Sequence, residues 1–366
     1  MVTEADGRIE HLAVDHAAGK RLLRDFLRAM EEVDEAGVAS VLDQYCTPMC
    51  RWEVFHPFNT LRGAGEAADR FWRPLKRAMP DLEIRIAAAL AGGHEGRALV
   101  SAMGQVMGTF DAPLLGIPPT YGLATLRFGV NAIVADGRFA KVYVLLDLVD
   151  LMRQAGFYPF RPMPGSPEPW AFPPCDTDAT LIEVDPARGE ESLRIVHEMQ
   201  MGLPRPNEIA SLSQAPSRHS HHWHPRMNWY GPAGIGSMRG QRGFRDFHGS
   251  LFLQAFPDRT GFPREPGGPE DAPGHYVRLG DGSYAVTGGW PSLEGTHLGP
   301  EWLGLPPTGR RIEMRVADWY RLDAEGRIVD NWVMMDLPHI LQQMGLDLFH
   351  DLSFAVDKSR RRWPGS

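Results

Sequence analysis

The stretch RRIEMRVADWYRL holds an aspartate where acid–base chemistry could use one. Alternate residues of an extended strand share a face, so Ile312, Met314, Val316, Asp318 and Tyr320 lie together. A carboxylate on an otherwise apolar face is expected to point inward and lose its water. Desolvation raises its pKa and suits it to proton transfer near neutrality. The bland alternative is a buried aspartate held by Arg315 or a backbone donor. Asn331 falls on the inward face of the following strand, where its amide could polarise a carbonyl. His297, in GTHLG, could donate to a developing oxyanion or shuttle a proton, or could be a histidine satisfied in a turn. Trp229, Tyr230, Trp290, Trp302 and Trp332 are expected as aromatic walls of a substrate pocket, or as plain core. Earlier in the chain Glu53 and His56 lie on the strand that leads into HPFN and, with Trp52, could line a second pocket.

Other residues of chemical interest read more plainly. Asp147 and Asp336 each directly precede a helix, DLVDLMRQAG and DLPHILQQMG, and are expected to cap it by accepting backbone N–H groups. RHSHHWHP gathers His219, His221, His222 and His224. Alternation along the strand sends neighbouring side chains opposite ways, and no carboxylate follows at facial-triad spacing, so no metal is expected. Cys46, Cys50 and Cys175 are too few for a disulfide framework and suit a reducing cytoplasm. GPAGIG, starting at Gly231, and GAG, starting at Gly63, lack the acidic residue that a dinucleotide fold needs on its next strand. No cofactor is expected.

The elements that must hold these residues are written twice. LGIPPT at Leu115–Thr120 returns as LGLPPT at Leu303–Thr308, AMPD at Ala78 as AFPD at Ala255, and DGRFAKVYVLLDLVDLMRQAG as EGRIVDNWVMMDLPHILQQMG. The separation widens between these landmarks because the second copy carries an extra segment, Arg259–Pro273. Each copy opens with an amphipathic helix, carrying Leu22, Phe26 and Met30 in the first and Leu193, Val196 and Met199 in the second. A shorter helix follows, then a strand ending in proline, a third helix, a run of long β segments and a last helix. Helices followed by strands predict an α+β class, a curved antiparallel sheet wrapped on helices. The proline-rich stretch between the copies reads as a linker. The expected division is residues 1–160, a linker over 161–185, and residues 186–366.

Composition limits the partners. The net charge of −8 argues against a nucleic-acid groove and an anionic membrane surface. Four of the 38 basic residues are lysines, so arginine is this chain's default cation and an isolated one says little about an anion site. No stretch approaches the roughly 20 apolar residues of a membrane span, and the start is acidic and polar. A cytoplasmic protein is expected.

These residues resemble the polyketide-cyclase (SnoaL-like) branch of the nuclear transport factor 2-like superfamily. The resemblance is fullest in the second copy, from WYGPAGIGSMRGQRGFRDF through AFPD and GTHLGPEWLGLPPTGRRIEMRVADWYRL to DLPHILQQMG. It implies two tandem cone-shaped α+β barrels, each with an apolar pocket inside, that pair through their sheets within the chain and again in a homodimer. It also implies an acid–base aspartate after the tryptophan of a W-D pair in the last strand. Here that slot holds Val333 after Trp332, and Val144 after Tyr143. The family places a second acid–base His or Asp at the strand position of Asp318, where the first copy is expected to have Gly129. It keeps a polar group near the pocket mouth at His297, where the first copy has Phe110. The expected function is cofactor-independent proton transfer on a small carbonyl- or hydroxyl-bearing substrate, by isomerisation, dehydration, lysis or aldol-type cyclisation. Asp318 would be the base and His297 and Asn331 the donors. A non-catalytic small-molecule binder, a partner-binding tandem and an epoxide-hydrolase-like enzyme are the alternatives.

Overall fold

The computed structural model describes residues 15–160, 162–167, 170–172, 185–203, 220–261 and 277–352. Two units of the same design follow one another. The first has helices His16–Glu32 and Val38–Tyr45, then strands β1 (Cys46–Val54) and β2 (Asn59–Arg62). A helical run over Gly63–Ala67, Ala68–Trp72 and Arg73–Ala78 leads to β3 (Glu83–His94), β4 (Arg97–Thr109), β5 (Leu123–Ala135) and β6 (Arg138–Leu146), and helix Leu148–Gln154 closes it. The second has helix Pro186–Met201, the turn Ser220–His222, β7 (Trp223–Tyr230) and β8 (Met238–Arg239). Its helical run covers Gly240–Phe244, Arg245–Gly249 and Ser250–Ala255. Then come β9 (Thr260–Gly261), β10 (Val277–Asp281), β11 (Tyr284–Thr296), β12 (Arg311–Leu322), β13 (Ile328–Met335) and helix Leu337–Met344. In both runs the middle segment is π-helical.

The strand orders correspond: β2-β1-β6-β5-β4-β3 in one sheet and β10-β11-β12-β13-β7-β8 in the other, with β9 also on β11. Pairing is antiparallel except where β1 meets β6 and β7 meets β13. The edge strand β3 runs unbroken along β4, whereas β9 and β10 divide that place along β11 between them. The extra segment of the second copy therefore begins at an edge strand, β9, where an insertion costs no central ladder.

Repeated sequence gives repeated local structure. In both LG[I/L]PPT motifs leucine and glycine have positive φ, 54° and 81° at Leu115 and Gly116, 52° and 87° at Leu303 and Gly304. Leu114 and Ile117, like Trp302 and Leu305, exchange both backbone hydrogen bonds around that pair. Two central residues at positive φ make the mirror-image turn that strand twist favours. The aspartates of the two PD turns also match. Asp81 accepts from Thr109 N and Oγ1 at 2.7 Å each, and Asp258 from Thr296 N and Oγ1 at 2.7 Å each.

Each first helix lays a wider stripe on its sheet than the expected triads. Leu23, Phe26, Leu27 and Met30 are buried in one, Ser192, Val196, Met199 and Gln200 in the other. Asp15 and Asp185 cap them by accepting from Ala18 N and Arg188 N. The outer faces of the two sheets pack together through Phe55, Leu90, Leu99, Met103 and Tyr143 from the first and Val286, Trp319, Trp332 and Met334 from the second. Trp319 donates from Nε1 to Ser101 Oγ at 2.9 Å. Asp147 and Asp336 do cap their helices, accepting from Asp150 N and His339 N. Each also reaches into the other unit. Asp147 accepts from Ala233 N at 2.9 Å and Asp336 from His56 N at 2.9 Å. Arg127 and Arg315 neutralise them at 3.0 and 3.1 Å. The described part of the proline-rich segment lies against the second unit: Ser166 bridges Ser237, and buried Trp170 donates to the Gly231 carbonyl at 3.0 Å.

Candidate active site

Asp318 sits where the alternation of β12 sends it. Ile312, Met314, Val316 and Tyr320 enter the core inside the second cone, while Ala317 and Trp319 face the other sheet. Protein surrounds Asp318, yet it keeps part of its surface accessible. Asn331 Nδ2 lies 3.4 Å from its Oδ1 and 3.2 Å from the Trp319 carbonyl oxygen. Tyr320, two residues on and on the same face, accepts from Gln200 Nε2 at 3.3 Å, and Gln200 also donates to Thr287 Oγ1 at 2.9 Å. Burial pushes the Asp318 carboxyl up to about 7, and the neighbouring Asn331 and Tyr320 offset that only in part. Arg315 is not its partner. It projects from the opposite face to Asp336 and Asn59.

The ladders correct one correspondence. Asp318 pairs with Val333 on β13 and Thr287 on β11. Val144 pairs with Val130, and Val130 with Ala102. The first copy therefore has Val130, not Gly129, at the place of Asp318, since a one-residue slip changes the face. Gly129 instead lies on the outer face under Trp319. Continuing along the ladders, Ala132 and Val142 stand where Tyr320 and Asn331 stand. Ala102, Val130, Ala132, Val142 and Val144 are all buried and apolar. Inside the first cone the Phe26 ring contacts those of Trp52, Trp72 and Phe139.

The five expected wall residues divide between two faces. Trp229 and Trp302 enter the second cone. Tyr230, Trp290 and Trp332 do not line it. Trp332 stacks on Tyr230 at 5.4 Å and donates to the Ala171 carbonyl, and Trp290 packs on Phe55 and Tyr143 beneath the Arg315 guanidinium. Alternation again decides: odd and even positions of β13 face different cores. The pocket expected around Glu53 and His56 is not assembled either. Trp52 turns into its own core, Glu53 is held by Arg51 and Thr60, and His56 lies between the units near His339 and Phe349.

His297 is fully buried rather than at a mouth. Its ring packs on Phe256 at 5.5 Å and approaches Thr308 Oγ1 at 3.4 Å, while Nε2 has no hydrogen-bond partner among the described residues. Burial lowers its pKa. Of the histidine run, His219 lies outside the described residues, His221 and His222 form a turn, and His224 Nδ1 accepts from Arg226 N. Among the described residues no three His, Cys, Asp or Glu side chains converge to hold a metal.

Three polar residues inside the second cone had escaped the sequence. Gln200 hides among the apolar positions of its helix, and Thr287 is the small partner of Asp318 across β11. His248 sits in the π-helical turn, stacked on Trp229 at 4.3 Å and on Phe252 at 5.6 Å. For Thr287 the usable signal was its alternation with Ala285 and the glycines that follow; for His248 it was the i, i+4 spacing to Phe244 and Phe252.

Residues 290–344 match the family model of SnoaL-like polyketide cyclases, a stretch that contains His297, Asp318 and Asn331. This stretch is SnoaL-like. Comparison with curated proteins finds no match. Among solved structures, TsrD from Streptomyces laurentii is 24% identical, with 39% of this chain and 98% of that one covered and a TM-score of 0.32. IdmH from Streptomyces antibioticus is 18% identical over 36% and 97%, TM-score 0.31. AclR from Streptomyces galilaeus is 18% identical over 40% and 85%, TM-score 0.34. Within the SnoaL-like stretch, Val333 fills the slot that the sequence resemblance gives to a carboxylate. Its partner across the ladder is Asp318.

Proposed function

We propose that the second unit is a cofactor-independent acid–base enzyme and that the first is its structural partner. Asp318 takes a proton from a carbon beside a carbonyl, or from a hydroxyl, of a small to medium organic substrate lying against Trp229 and Trp302. It then returns that proton elsewhere on the substrate. Isomerisation, dehydration, lysis and aldol-type cyclisation all need such a transfer. Asn331 positions the carboxyl rather than meeting the substrate, because its Nδ2 already faces two acceptors. His297 stands behind Phe256 and serves only a substrate that displaces that ring.

The observation that carries this reading is Asp318 itself, a carboxyl on the inward face of β12 that burial raises to about 7 and that keeps part of its surface accessible. The first unit offers Val130, Ala132, Val142 and Ala102 in its place and neighbourhood. The SnoaL-like match over residues 290–344 supports a cyclase- or isomerase-type fold for the second unit. We divide the chain at residues 161–185 and place the protein in the cytoplasm; no helix among the described residues is long and apolar enough to cross a membrane.

The rival reading, a non-catalytic binder, draws on Val333 and Val144 at the family's carboxylate slot. The two separate on hydrogen–deuterium exchange beside the carbonyl of 2-tetralone in D2O, followed by NMR. An enzyme accelerates it, and Asp318→Asn slows that acceleration by roughly 10²–10⁴-fold. A binder leaves exchange at the solvent rate with either protein.

A further inference from the structure

We infer that His248 is a specificity-determining residue of the second cone, hydrogen-bonding an oxygen substituent of the substrate at a distance from the group that Asp318 serves. The inference rests on reading that interior as the substrate site. His248 shares a helix face with Phe244 and Phe252, at 5.5 and 5.6 Å, while the intervening Arg245, Asp246 and Phe247 face solvent. Trp229, which enters the same core from β7, stacks on it at 4.3 Å and 21°. The imidazole plane is thus fixed between two aromatic rings. Like Asp318, it is surrounded by protein yet keeps accessible surface.

Among the described residues no group hydrogen-bonds this ring, which leaves its donor and its acceptor for a ligand to satisfy. The surroundings are apolar, and burial drives the imidazole pKa down to about 3. The ring is therefore neutral at physiological pH, and it matches a hydroxyl or carbonyl better than an anion. Its place relative to Asp318 follows from the sheet. Trp229 is the ladder partner of Asn331, and Asn331 bonds Asp318. Two strand spacings, about 10 Å, separate β12 from β7. The ligand is therefore an apolar, ring-bearing molecule with two oxygen functions at opposite ends.

Equilibrium dialysis of the full chain with 1-naphthol and 1-methylnaphthalene tests this without requiring turnover. His248→Phe keeps the stack on Trp229 and Phe252 and removes both polar atoms. It should weaken 1-naphthol by roughly 3–10-fold and leave 1-methylnaphthalene unchanged or tighter. His248→Gln should restore part of the naphthol affinity. Equal effects on the two probes, or no binding of either to the wild-type protein, would overturn the inference. Asp318→Asn in the same assay keeps the two claims apart. If it retains the His248-dependent discrimination but exchanges 2-tetralone as fast as wild type, the proton-transfer reading fails and this one stands.

Discussion

Asp318 and Val333 face each other across the β12–β13 ladder, on the inward face of the second cone. Cross-strand neighbours have Cα atoms about 4.5–5.5 Å apart. A carboxylate one strand over from the slot that the resemblance assigns can reach the same part of the interior. It does so with Asn331 as its hydrogen-bond partner and, among the described residues, without a paired cation, since Arg315 lies on the other face.

An unpaired carboxyl of this kind has a signature in stability. Burial raises the Asp318 pKa from 3.8 to about 7. Its favourable contribution is fully present below the unfolded value and is lost as pH rises through the folded one. Asp318→Asn carries no charge, so urea unfolding should find it more stable than wild type at about pH 8, by on the order of 2–4 kcal/mol. The gap should close toward about pH 4. A variant less stable than wild type at the higher pH would show that the charge is satisfied in the fold.

The pairing of the two sheets should be sensitive at Gly129. A Cβ there would stand 2.2 Å from Trp319 Cη2. Gly129→Ala should therefore cost about 1–3 kcal/mol of overpacking, read from denaturant midpoints. Gly122→Ala, where no atom lies within 4 Å of the added carbon, should be close to neutral. Equal effects would mean that the indole can move aside.

Asp336 joins the units as well as capping a helix. Removing it leaves the Arg315 guanidinium and the His56 N–H without their shared acceptor. Asp336→Ala should cost roughly 3–5 kcal/mol, the usual scale for breaking a buried ion pair. Asp336→Asn, which keeps an acceptor oxygen, should cost less. A cost equal to that of an ordinary lost helix cap, about 1 kcal/mol, would remove the bridge from the account.

The repeat, the class and the strands were legible because they are local. The turn at Leu115–Gly116 and the helix caps made by Asp147 and Asp336 need only neighbouring residues. The inward direction of Asp318 was equally readable, since alternation sets it. What the chain order hid was relational. Val130 rather than Gly129 answers Asp318 because register is fixed by a partner strand, not by counting along a segment. Trp290, Trp332 and Tyr230 belong to the contact between sheets, and nothing in their own strands distinguishes one buried face from another. His248 was missed because a histidine among helix aromatics looks like core until Trp229 is seen against it.

The titration of Asp318 in the full-length protein tests the central claim most directly. Its side-chain carboxyl carbon can be assigned in 13C NMR spectra by its absence in Asp318→Asn and followed across pH. The account predicts a midpoint at about 7, set by burial inside the second cone. A midpoint near the ordinary 3.8 would mean a hydrated or paired carboxylate, and Asp318 would then have no claim to be a base poised at neutral pH.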